Sequence, residues 1–112
     1  MRALVPPVVS VISARSTTAV PGSPLRPDLM KQITRITDSL RPGVIVAPSM
    51  STGATDGKAL RAGIENYGVS GLFGERGESR AHGQDERMLA SSFDQAQIFL
   101  YHLVKAMSSA GM

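Results

Sequence analysis

RPGVIVAPSMSTGATDGKALRAGIENYGVSG, residues 41–71, decides the fold expected of this chain. Val44, Ile45, Val46 and Ala47 form a short continuous apolar run closed by Pro48, the pattern of a strand covered on both faces. A Gly-rich turn then opens a short helix over Asp56 to Ala62, and Tyr67 to Val69 reads as a second short strand. Upstream, from Asp28, the apolar residues Leu29, Met30, Ile33, Ile36 and Leu40 recur at helical spacing until Arg41, Pro42 and Gly43 stop the pattern. The order helix, strand, helix, strand predicts an α/β unit whose short strands belong to a mixed sheet with helices packed on it.

Further downstream, residues Gly71 to Ala90 carry four glycines among many charges and no sustained period, which predicts a long loop. A terminal helix follows. Ser92 and Gln95 have the spacing of a capping box, and Phe93, Ala96, Leu100, Val104 and Met107 continue as a packing stripe. In the other direction, Ala14 to Pro27 holds three prolines with Ser, Thr and Gly, an extended connector. Before it, Leu4 to Ala14 imitates a secretory leader, but Pro6 and Pro7 interrupt the run. Val8 to Ile12 therefore reads as a strand feeding a loop, which favours the cytoplasm over export.

Composition narrows the function classes. At 42% hydrophobic and 19% charged residues, the 112-residue chain is globular and fits one small domain. Its net charge of +3 comes from scattered basic residues with no run of five or six, so no nucleic-acid partner is expected. No stretch is long and apolar enough for a membrane span. With no Cys, any metal has to be held by His, Asp, Glu or water.

Two segments carry possible chemistry. In Ser51 to Gly63 the turn at Gly53, Ala54 and Thr55 precedes a helix, and backbone N–H groups at such a start suit a carboxylate or phosphate. Equally, Asp56 simply caps that helix. In Ser79 to Arg87, His82 stands beside Gly83, Asp85 and Glu86, and a neutral imidazole there can ligate a metal while a carboxylate fixes its second nitrogen. The plain alternative is a solvated loop histidine. His102, between Tyr101 and Leu103 in the terminal helix, has a structural role.

Taken together, Gly53, Thr55, Asp56, Tyr67, Gly68, His82, Gly83, Asp85 and Glu86 fall in the places of two paired motifs. These are a Gly-x-Thr-Asp-x-Arg segment and a His-Gly-x-Asp-Glu segment with a Tyr-Gly strand between them. The string from Pro48 to Met88 thereby resembles the C-terminal part of the catalytic domain of metallopeptidase family 20, which includes glutamate carboxypeptidase, aminoacylase and succinyl-diaminopimelate desuccinylase. Ser23 to Met30 is similar to the family's return from its lid domain. The resemblance implies that residues 1–18 hold a remnant of a lid-domain strand with a connector, and that residues 19–112 are the catalytic-domain segment.

The resemblance implies a partial zinc-exopeptidase fold and chemistry with two Zn2+ ions per complete site, acting on small peptides or N-acyl amino acids. His82 matches the final metal ligand. Gly53, Ala54, Thr55 and Lys58 match the segment that contacts the substrate carboxylate. Lys58 stands where many relatives carry Arg, exchanging a planar fork for a point charge, with Arg61 a substitute. The catalytic Glu and the remaining ligands lie upstream in that family, as does the lid domain through which members form homodimers. The chain is thus expected to be a fragment, inactive alone, with apolar edges that make it associate. The competing expectation is a non-catalytic binding module that has kept the fold.

Overall fold

In a computed structural model, residues 21–50, 55–60, 63–77 and 80–109 are described. Two helices carry the fold: α1 (Pro27–Leu40) and the last helix, Ala90–Ser109, with the single turn α2 (Gly57–Leu60) between them, so the last is α3. Among the described residues there is no strand. The expected α/β fold is therefore corrected to a small helical one.

The first helix forms where the sequence predicts it. Pro27 sits in its first turn, where a missing N–H loses nothing, and Asp28 places a negative charge against the positive helix end. Leu29 and Ile36 are buried, Ile33 and Leu40 pack beside them, and the outer face is polar. The helix closes with the Arg41 N–H donating to the Thr37 carbonyl at 2.7 Å, and Gly43 then adopts the left-handed φ of 82° needed to turn the chain away.

The last helix begins at Ala90, with Ser92 and Phe93 N–H groups donating to the Leu89 carbonyl. Ser92 is consequently inside the helix and does not cap it. Its Oγ accepts from the Phe73 N–H at 2.8 Å and donates to the Phe73 carbonyl at 2.6 Å. Gln95 is likewise taken, its Oε1 accepting from Arg41 Nε at 2.9 Å and Nη2 at 2.6 Å. The expected capping box fails because tertiary partners claim both side chains.

Leu29 and Ile36 of α1 meet Phe99 and Leu103 of α3 in one buried cluster, which Tyr67, Val69 and Met107 extend. Arg41, at the end of α1, reaches Gln95, near the start of α3, so the two helices run in opposite senses. Gly71 packs directly on this core, with φ 67° and so little room that a Cβ would come within 2.5 Å of the Phe99 ring.

Both expected strands in the described region fail for one physical reason. A strand is held by a ladder to a neighbour, and no neighbouring strand exists among the described residues. Val44 to Ala47 runs without regular structure, and Ile45 is 90% exposed where burial on both faces was expected. Tyr67 and Val69 pack on the helices, and nearby Asn66 N–H donates to Ser23 Oγ at 2.8 Å while the Tyr67 hydroxyl donates to the Pro24 carbonyl at 2.6 Å. Of the short helix predicted over Asp56 to Ala62, Gly57–Leu60 is present as α2, and the loop predicted over Gly71 to Ala90 holds no helix or strand in its described part until α3 opens at Ala90. The strand read at Val8 to Ile12 lies outside the described residues.

Candidate functional site

The His82 loop is braced by its own backbone and charges. Gly83 N–H donates to the Arg80 carbonyl at 3.1 Å, and Glu86 N–H donates to the Gly83 carbonyl at 3.3 Å, two consecutive turns. The Arg80 guanidinium pairs with the Asp85 carboxylate across them. Glu86 Oε1 accepts from the His82 N–H at 3.1 Å. His82 itself adopts φ 65°, the left-handed region that L side chains other than Asn, Asp and His rarely enter. Its side chain is exposed. The loop thus fixes where the imidazole is presented while leaving it open to solvent.

Beside this loop lies a cavity of ≈ 600 Å³. Leu72, Phe73, Met88 and Leu89 give it apolar walls, while Arg80 and Glu86 place opposite charges at the side of the His82 loop. Ser92 fixes the backbone of Phe73 there, and the Arg41 guanidinium lies 4.4 Å from the Phe73 ring centroid. Arg41, Phe73 and Ser92 were not identifiable as neighbours from sequence, because the contacts joining them span residues far apart in the chain. No local pattern signals them.

The substrate-contact segment is only partly visible. Gly53 and Ala54 lie outside the described residues, as does Arg61. Thr55 is exposed and precedes α2. Lys58 belongs to α2, with its side chain outside the described residues. One turn of helix sums few peptide dipoles, so α2 offers an anion much less than a longer helix would.

Whether the chain can hold zinc by itself is a question of donors. A zinc site takes three or four protein ligands. Among the described residues no group of three or more His, Asp or Glu side chains stands together in a way that could hold a metal ion. Glu86 and Asp85, the carboxylates nearest His82 in sequence, are occupied by the His82 backbone and by Arg80. His102 lies on the exposed side of α3, edge-on to the Tyr101 ring with centroids 5.4 Å apart. The described residues therefore do not assemble a zinc centre around His82.

No described helix is long and apolar enough to cross a membrane. No family model, no curated protein and no solved structure matches the chain.

Proposed function

We propose that the chain supplies one part of the site of a zinc-dependent amide hydrolase of the family 20 type, giving His82 as a single metal ligand and remaining inert alone. The reading rests on the paired Gly53 to Asp56 and His82 to Glu86 motifs at their joint spacing. One observation carries it: an exposed imidazole on a braced loop, with no metal-binding group assembled beside it among the described residues. Such a histidine suits a site completed by groups from elsewhere. When bound there, zinc would activate a water and polarise the amide carbonyl. The chain's own contribution is confined to holding His82 in place and, through Thr55, Lys58 and the adjoining Gly53 and Ala54, contacting the substrate's carboxylate. The helical architecture removes the mixed sheet from what the resemblance implied, but leaves the motif pair untouched.

A second reading has its own support. The apolar cavity beside the loop fits a non-catalytic module that takes the apolar part of a small ligand between Leu72, Phe73, Met88 and Leu89.

Zinc titration calorimetry separates the two. The chain is titrated alone, with the upstream half of a family 20 enzyme in trans, and again as His82→Ala. Binding that is weak alone and rises with the upstream half only when His82 is present supports the hydrolase part. Absence of any rise with the upstream half, or a rise equal in His82→Ala, leaves the binding module as the reading. Tight stoichiometric zinc binding by the chain alone defeats both.

A further inference from the structure

Phe73 stands where three contacts meet. It lines the cavity with Leu72, Met88 and Leu89, and its N–H and carbonyl are both bonded to the buried Ser92 hydroxyl. Its ring lies under the Arg41 guanidinium, 4.4 Å from the centroid. Ser92 fixes the backbone of Phe73 only, and Arg41 adds the contact to the ring. The guanidinium is itself anchored at both ends of the side chain. Gln95 Oε1 accepts from Nε and Nη2, at 2.9 and 2.6 Å, and the Arg41 N–H closes α1 on the Thr37 carbonyl. A planar fork bound in this way presents a fixed cationic face to the aromatic ring.

Arg41 is not itself a wall of the cavity. We propose that Arg41 is a positioning residue for that cavity: anchored by Gln95, it acts through Phe73, holding the ring as one apolar wall against which a compact apolar ligand group is taken. This role rests on the binding-module reading, and the ≈ 600 Å³ of the cavity falls within the range of small-molecule sites. A wall that is ordered before binding loses less freedom when the ligand arrives, so Arg41 contributes to affinity. A purely structural role, tying the end of α1 to the start of α3, would lower stability and leave the affinity of the folded chain unchanged.

Benzene serves as the probe, titrated into the full chain at a temperature where circular dichroism shows each variant folded, with the methyl resonances of Leu72, Met88 and Leu89 followed by nuclear magnetic resonance. The native chain should show saturable shifts at those methyls. The dissociation constant should rise about tenfold in Arg41→Ala and about threefold in Gln95→Ala. Arg41→Ala combined with Gln95→Ala should bind no more weakly than Arg41→Ala alone, because the two residues act along one path. Arg41→Lys keeps the charge without the fork and should fall between the native chain and Arg41→Ala. If Arg41→Ala does not fold, Gln95→Ala and Arg41→Lys still decide the matter. Native affinity in the folded variants, or losses that simply add in the double variant, would overturn the role of Arg41 and leave the binding-module reading in place. Absence of any shift at the three methyls of the native chain would instead remove that reading, and the role of Arg41 with it.

Discussion

α1 and α3 share one core and differ in everything that faces away from it. On α1 the apolar residues keep to a single stripe, and the opposite side is Lys31, Arg35 and Asp38. On α3 the buried stripe is followed round the helix by Phe93, Leu100, Tyr101 and Val104. The first is a peripheral helix, complete once it has one neighbour. The second has the composition of a central helix with layers on more than one side. Helix length and helix propensity do not separate them; the width of the apolar surface does.

The shared core should break most readily from the α3 side. Phe99 is 2% exposed and touches both α1 and the Gly71 segment, so Phe99→Ala should cost about 3–5 kcal/mol, comparable to the whole stability of a small domain. Loss of a cooperative urea transition followed by circular dichroism is the expected outcome. Gly71→Ala meets the same ring with a Cβ and strains a left-handed backbone, and should cost about 1–3 kcal/mol by the same measurement. Ser92→Ala leaves the N–H and carbonyl of Phe73 without their partner, at about 1–2 kcal/mol.

The smallest effect belongs to the start of α1. The Arg26 guanidinium, chiefly by its hydrogen bond, holds the Asp28 carboxyl below its ordinary pKa. A carboxyl depressed in the folded state stabilises it above the ordinary carboxylate range, and that contribution is lost as pH falls through the folded value. The pair is solvent-exposed, so the effect is slight. Thermal melts of the native chain and Asp28→Asn should differ a little at neutral pH and converge once the pH has fallen below the folded carboxyl's depressed value. Equal melting temperatures at neutral pH would remove any role for the pair.

Both long helices were readable from sequence because their information is local, but the stripe expected to pack from α3 was misplaced. Phe93, Leu100 and Val104 are exposed, and Ser92, Phe99 and Leu103 are buried beside Ala96, because apolar residues on two sides of that helix leave its period ambiguous. Leu29, Ile33, Ile36 and Leu40 form a period that a helix alone satisfies. The run from Val44 to Ala47 was different, since four apolar residues make a strand only when another strand lies alongside. Composition cannot supply that neighbour. The same limit explains Ser92 and Gln95, whose spacing fits a cap but whose side chains are claimed by Phe73 and Arg41. At the candidate site, the loop carrying His82 was legible from its glycines and charges, and its exposure suits a ligand and a solvated histidine alike, whereas the cavity walls come from two sides of a long loop and leave no local signature.

The Ser92 hydroxyl both accepts from and donates to the backbone of a single residue, as a residue on an adjacent strand would. Phe73 belongs to a loop, yet its amide hydrogen is held by a buried side chain in the first turn of α3. Opening of that turn carries the hydroxyl away from Phe73. In a hydrogen-exchange experiment Phe73 should therefore report the opening of a helix it is not part of, and its protection should vanish with the hydroxyl rather than with the loop.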